Sequence, residues 1–285
     1  MTSPRDQVLV STEWLADYLS APDVVVVDGS WYLPAQARDP HAEYLAGHIP
    51  GAVFFDIDAI ADPDTDLPHM LPSPAQFSAA VGRLGIAEED RIVVYDGAGL
   101  FSAARVWWTF RIMGARNVAV LDGGLPKWVD EGRPLERGEV NRDERRFAAR
   151  FDPAFVRDVG SVRRLLDTGD EQMLDARSAE RFAGTAPEPR AGLRSGHAPG
   201  SLNLPFNRLI NADGTLKDNA SLQDAFAEAG VDLDRPVVTS CGSGVTAAVL
   251  SLGLAAIGHG RNALYDGSWT EWGGRDDTPV VTEDG

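Results

Sequence analysis

Cys241 is the only cysteine in the 285-residue chain, within Val237-Val238-Thr239-Ser240-Cys241-Gly242-Ser243-Gly244-Val245-Thr246-Ala247-Ala248. A short β-branched run ends at the sulfur, two glycines follow, and an apolar helical stretch runs from Ala247 to Ile257. A strand that turns tightly into a helix leaves several backbone N–H groups pointing into the turn, where the helix dipole is also positive. A thiolate held there gains hydrogen bonds that a thiol cannot, so the loop favours the nucleophilic anion. Glycines supply backbone angles that side chains forbid. A lone cysteine is more commonly a small buried hydrophobe. A core cysteine, however, has no use for Gly-Ser-Gly directly after it, and Gly242 and Gly244 would weaken a helix already begun. The pattern is that of a nucleophile.

The rest of the chain must position that sulfur. Its length is comfortable for two domains, and 44% hydrophobic residues can build their cores without staples. One cysteine excludes an internal disulfide and an internal resolving thiol, which suits a reducing cytoplasm. No apolar run reaches the ~18 residues that a membrane span needs. The stretch from Met1 to Asp6 carries no charged-then-apolar export pattern. A net charge of −17 argues against nucleic acid and requires that any anionic substrate be met by local arginines. The five histidines are scattered, there is no cysteine pair, and no glycine fingerprint follows a first strand. Neither a metal nor a resident cofactor is expected.

The two halves of the sequence repeat each other. Asp28 and Asp175 each close an apolar run, and Gly47-His48-Ile49-Pro50-Gly51 recurs as Gly196-His197-Ala198-Pro199-Gly200. Gly85 matches Gly230, and Leu121-Asp122-Gly123-Gly124 with Trp128 matches Tyr265-Asp266-Gly267-Ser268 with Trp272. The offset stays near about 147 residues throughout, the mark of a tandem duplication. Each half alternates strands and helices. In the first, Ser11 to Leu19 reads as a capped helix, Val24 to Val27 as a buried strand, and Ser73-Pro74-Ala75-Gln76 as a capping box. Ile92 to Tyr95 and Val118 to Leu121 read as further strands around a helix from Ser102 to Met113. The fold class is α/β, with a parallel sheet covered by helices on both faces in each of two domains. The expected boundaries are 1–137 and 153–285, joined by a polar, arginine-rich linker over 138–152. Asp96, in Tyr95-Asp96-Gly97-Ala98-Gly99, takes the place of Cys241 in the first half. A carboxylate cannot do thiol chemistry, so one half is active and the other structural.

These residues resemble the two-domain rhodanese family over nearly the whole chain. The resemblance rests on Gly47 to Gly51, Phe54-Phe55-Asp56-Ile57-Asp58, His69-Met70-Leu71-Pro72, Arg105-Val106-Trp107-Trp108 and Leu121 to Gly124. It continues through Arg181-Phe182 to Pro189-Arg190, the Cys241 loop and Asp266-Gly267-Ser268-Trp269. The loop Cys-Gly-Ser-Gly-Val-Thr is similar to the branch that uses 3-mercaptopyruvate. Thiosulfate-preferring relatives usually carry basic residues just after the cysteine. The resemblance implies a persulfide on Cys241, with Gly242, Gly244, Val245 and Thr246 lining the donor. It makes Arg181 and Arg190 the carboxylate-binding pair, since a guanidinium grips a carboxylate with two hydrogen bonds. It also implies a proton relay of Ser243, His69 and Asp58. A small thiol, thioredoxin or cyanide would then accept the sulfur.

Each assignment has a plainer alternative. Arg181 and Arg190 lie in a proline-rich loop where solvated charges are common. His69 could bond only to backbone, and Ser243 could serve only by being small. His48 and His197 recur in both halves, including the one without a nucleophile, which assigns them to structure rather than to the site. Trp107 and Trp108 sit in an apolar helical stretch and read as core. Three rival activities remain: thiosulfate sulfurtransfer, non-catalytic persulfide carriage, and a cysteine-dependent phosphatase. The last would need an arginine where this chain has Ala247.

Overall fold

The computed structural model describes residues 3–282. Met1 and Thr2, which open the N-terminal stretch, and residues 283–285, which end the second expected domain, lie outside the described residues. Two compact units are present. Unit 1 comprises Met1–Asp62, Leu71–Asp152 and Ile210–Leu216; unit 2 comprises Pro63–Met70, Pro153–Leu209 and Lys217–Gly285.

Unit 1 contains strands β1 (Leu9–Val10), β2 (Val24–Asp28), β3 (Val53–Phe54), β4 (Arg91–Tyr95) and β5 (Asn117–Leu121). They form one parallel sheet in the order β1-β5-β4-β2-β3, with Val24 opposite Arg91 and Asp28 opposite Tyr95. All five residues of β2 are buried, as a uniformly apolar run in a sheet covered on both faces must be. Its helices are α1 (Thr12–Tyr18), α2 (Pro40–Ala46), α3 (Pro74–Arg83), α4 (Ala103–Ile112) and α5 (Gly124–Asp130). Ser11 caps α1, and Ser73 and Gln76 form the expected capping box of α3. Trp107 and Trp108 of α4 are buried, in line with their apolar surroundings.

Unit 2 repeats the plan with β6 (Val156–Arg157), β7 (Gln172–Asp175), β8 (Leu202–Asn203), β9 (Val237–Ser240) and β10 (Asn262–Tyr265). The order β6-β10-β9-β7-β8 is the same, and every pairing is again parallel. The helices are α6 (Val159–Thr168), α7 (Ala179–Ala183), α8 (Asn219–Glu228), α9 (Ala247–Ala256) and α10 (Ser268–Trp272). α9 is apolar around nearly its whole circumference and is buried accordingly.

Two features depart from a plain tandem reading. The stretch 138–152 has no helix or strand, yet it packs along unit 1 rather than spanning solvent. Phe147 is buried edge-on against Phe77, and Arg145 pairs with the buried Asp90 at 2.7 Å. One apolar anchor and a paired charge outweigh its polar composition. In addition, the second half of the sequence lends Ile210–Leu216 to unit 1, while Pro63–Met70 of the first half joins unit 2. The Leu216 amide donates to Asp122 at 2.7 Å and the Arg5 guanidinium donates to the Leu216 carbonyl at 2.8 Å.

Candidate active site

β9 delivers Cys241 to the carboxyl edge of the unit 2 sheet, where ligands of parallel sheets bind. The loop 241–246 then turns the chain into α9. Cys241 is 2% exposed, and its neighbours Gly242 and Thr246 are half-buried at the loop surface. Among the described residues, no acceptor meets the backbone N–H groups from Gly242 to Ala247. The loop therefore presents a set of unsatisfied donors directly after the nucleophile. Gly244 turns with φ +79°, a conformation that favours glycine.

The loop is also fixed from behind. The Trp269 amide donates to the Cys241 carbonyl at 2.9 Å, and the Thr270 amide donates to the Gly242 carbonyl at 2.9 Å. Both donors belong to the first turn of α10. The far end of α10 is held by Arg194, whose guanidinium donates to the carbonyls of Trp272 and Gly273 at 3.0 and 3.1 Å.

Above the loop lies Arg181. A Cβ placed on Gly242 would come within 3.2 Å of its Nη2, so glycine lets the guanidinium descend onto the loop. Glu188 grips the same guanidinium, accepting from that Nη2 at 2.5 Å and from Nε at 3.2 Å. This leaves Nη1 without an acceptor among the described residues. Glu188 also accepts from Arg177 at 2.8 Å, and Arg177 pairs with Asp175 at 2.7 Å. The Arg177 side chain is fully buried, stacked 4.1 Å from the Trp269 ring centroid, and donates to the Gly196 carbonyl at 2.9 Å. Burial works against its charge, but Asp175 and Glu188 more than compensate, and its pKa is raised. Asp175, Arg177, Glu188 and Arg181 thus form a ladder of alternating charge that ends at the nucleophile.

The remaining expected residues fall into place unevenly. Arg190 and His69 both belong to unit 2, with Arg190 Nη2 3.4 Å from His69 Nε2. His69 is buried and has φ +61°, unusual for a residue with a side chain. Ser243, Gly244 and Val245 are buried within the loop. Asp58 belongs to unit 1, where its exposed carboxylate accepts the Trp31 indole N–H at 3.1 Å. His48 and His197 make equivalent bonds in the two units, each with Nδ1 2.8 Å from a carbonyl, that of Tyr44 or of Phe182. Arg177 and Glu188 are not among the residues the sequence singles out. Their signal was slight: an arginine two residues after Asp175, and an acid between two prolines.

No helix among the described residues is long and apolar enough to cross a membrane. The Rhodanese-like domain family matches residues 11–131 and 158–275. The 3-mercaptopyruvate sulfurtransferase of Escherichia coli K12 is 44% identical over 272 residues, covering 95% of this chain and 96% of that protein. A mitochondrial thiosulfate/3-mercaptopyruvate sulfurtransferase of Arabidopsis thaliana is 42% identical, covering 95% of this chain and 77% of that protein. The crystal structure of SseA from Escherichia coli, a 3-mercaptopyruvate sulfotransferase of rhodanese fold, superimposes with a TM-score of 0.85. That match has 42% identity and covers 92% of this chain and 98% of SseA.

Proposed function

The chain belongs to the rhodanese family and is a sulfurtransferase, and we propose that it takes sulfur from 3-mercaptopyruvate through a persulfide on Cys241. In the first half-reaction the Cys241 thiolate attacks the donor sulfur. An S–S bond forms, the C–S bond breaks, and its electron pair stays on carbon as the pyruvate enolate. One proton then converts the enolate to pyruvate. In the second half-reaction an acceptor thiolate, or cyanide, attacks the outer sulfur and the S–S pair returns to Cys241 as thiolate.

The observation that carries this reading is the juxtaposition of a nucleophile and a half-committed cation. Arg181 stands over Gly242, next to Cys241, with Glu188 along its Nε–Nη2 edge, and Nη1 is the group assigned to the donor carboxylate. The loop amides without acceptors are available to the negative charge that gathers on sulfur, and stabilisation of that kind is a large part of catalysis. Arg190 serves as the second anion-binding group, and His69, 3.4 Å from it, handles the enolate proton together with Ser243. Gly242, Gly244, Val245 and Thr246 form the wall of the donor site. Asp58, the third member of the implied relay, is assigned by Asp58→Asn: a role in proton delivery lowers kcat and shifts its pH profile.

A donor with its charge set back from the sulfur suits a loop that carries Gly242, Ser243 and Gly244 in place of basic residues. Thiosulfate is the second reading, favoured by the double activity in the Arabidopsis relative's name. Thioredoxin, a small thiol or cyanide discharges the persulfide, because the only thiol in the chain is the nucleophile itself. The same single thiol suits a reducing cytoplasm. Intact-mass analysis after mixing with 3-mercaptopyruvate tests the proposal. One added sulfur, absent from Cys241→Ser, is the expected result. No mass gain with 3-mercaptopyruvate, but a gain with thiosulfate, would replace the donor.

A further inference from the structure

α5 and α10 occupy equivalent places behind the two loops, and both hold them through one shared bond. Leu125 donates its amide to the Asp96 carbonyl at 3.0 Å, as Trp269 does to that of Cys241. The residues on either side differ. Ser268 stands where unit 1 has Gly124, and Thr270 where it has Pro126. Each exchange adds hydrogen bonds that the unit 1 residue cannot make.

Ser268 has φ +48°, close to the +57° of Gly124, so a serine has been kept in a left-handed conformation that suits glycine. Such a conformation costs on the order of 1 kcal/mol and persists only where the surroundings enforce it. Its buried hydroxyl donates to the Tyr265 carbonyl at 2.9 Å and accepts the Cys241 N–H at 3.3 Å. Unit 1 has no room for this. A Cβ on Gly124 would lie 2.5 Å from the Gly99 carbonyl oxygen and 2.7 Å from that of Asp96. Thr270 adds a second grip, since its hydroxyl donates to the Gly242 carbonyl at 2.6 Å alongside its own amide at 2.9 Å. Proline at the equivalent position has neither donor.

We propose that Ser268 and Thr270 are positioning residues that fix peptides 240–241 and 242–243, on either side of the one that Trp269 holds, and so aim the loop amides at the Cys241 sulfur. The proposal rests on the persulfide reading above, but it concerns the loop rather than the donor. Peptide 241–242 is held at its carbonyl by Trp269, and the next carbonyl by Thr270. Ser268 holds the amide that enters the loop. With both ends fixed, the amides that follow cannot rotate away as charge builds on sulfur, which is the condition for preorganised stabilisation.

Two readouts on the full-length chain test it: the single-turnover rate of sulfur uptake from 3-mercaptopyruvate, and the alkylation rate of Cys241 by iodoacetamide. Thr270→Val is isosteric and keeps the amide. It should slow both rates about tenfold while KM for the donor stays within about twofold. Thr270→Ser restores the hydroxyl and should recover both rates. Ser268→Gly imports the unit 1 residue, relieves the backbone and should also slow both about tenfold, with folding verified by thermal melting. Wild-type rates in Thr270→Val, or a Thr270→Ser variant as slow as the valine, would overturn the positioning role. If the wild-type chain takes up no sulfur from 3-mercaptopyruvate, the donor reading fails. The alkylation rates then still decide the clamp.

Discussion

The loops after β4 and β9 are the same device in two states. In unit 1 the buried Asp96 carboxylate folds back into its own loop and accepts the amides of Ala98, Phe101 and Ala103, each at 2.8 Å. Burial pushes its pKa up, and those amides hold the rise in check. The Gly97 amide is taken by Ser30 at 2.9 Å, and Gly214 from the borrowed segment 210–216 packs against Gly99. In unit 2 the matching amides of Gly242, Ser243 and Thr246 have no acceptor among the described residues, that of Ala248 donates to the Val245 carbonyl at 3.3 Å, and Arg177 replaces Ser30. The comparison shows what the strand–loop–helix turn is for. It is an anion cradle, filled permanently by a carboxylate in one copy and left for sulfur in the other.

Swapping the contents of the cradles should separate activity from stability. Cys241→Ala removes the nucleophile and should lower steady-state sulfur transfer at least ~1,000-fold, while urea unfolding changes by about 1 kcal/mol or less. Asp96→Ala should do the reverse. It strands three loop amides, that of Ala103 fully buried, and should cost about 3 kcal/mol of unfolding free energy, with transfer kept within about threefold. An Asp96→Ala chain as stable as the wild type would show that the carboxylate is incidental to unit 1, and the equivalence of the loops would break.

The aspartates that close β2 and β7 sharpen the comparison. Asp175 has Arg177 beside it, whereas the counterpart of that arginine in unit 1 is Ser30, which gives Asp28 an amide bond at 2.9 Å but no cation. Burial dominates there and raises the Asp28 pKa to about 6 from 3.8. The sign follows directly. Between pH 4 and 6 the folded chain holds a proton that the unfolded chain has released, so stability from this group falls as pH rises through that window. The full difference is about 3 kcal/mol. Unfolding of the wild type and of Asp28→Asn, compared at pH 4.5 and pH 7.5, should give a difference curve of that slope. A flat difference curve would mean that Asp28 is not held neutral. Asp175→Asn should lower stability at pH 7.5 instead, because it strips a partner from the buried Arg177.

Much of this was legible in the chain. Runs such as Val24 to Val27 and Val237 to Thr239 have few options but buried parallel strands. Ser73 with Gln76 announces a helix start, and the near-constant offset between Gly47-His48 and Gly196-His197 reveals two copies. The Cys241 loop and Arg181 carry their chemistry in residue type and spacing. Other features depend on what the folded chain brings together. Arg177 and Glu188 are eleven positions apart and meet only because the proline-rich loop doubles back. Phe147, set among charged residues, gives no sign that 138–152 packs on unit 1. Nothing periodic in 63–70 or 210–216 tells that each segment joins the unit formed mainly by the other half. Ser268 was visible as a departure from the Asp-Gly-Gly of the first copy, but its meaning needed the backbone angle.

The smallest expected effect concerns what stands over each loop. In unit 1 it is Tyr32, whose hydroxyl would lie 2.3 Å from a Cβ on Gly97 and is tied to Glu43 at 2.8 Å and Arg38 at 2.7 Å. In unit 2 it is Arg181, tied to Glu188. An acid therefore orients the overhanging group in both copies, and only in unit 2 is that group itself a cation. Glu188→Gln keeps the volume and one acceptor but removes the charge, and two effects then oppose each other. Arg181 becomes less neutralised, which favours an anionic donor; it also loses a two-point partner, which lets the guanidinium wander. The Arg181 side chain is 23% exposed, so water and salt weaken the first effect, whereas misalignment of a substrate-holding group is not screened. Alignment should win, and kcat/KM for 3-mercaptopyruvate should fall about tenfold, mostly through KM. A rise in kcat/KM that disappears at high salt would mean that Glu188 acts by charge alone, and that the overhang in unit 2 needs no tether like the one on Tyr32.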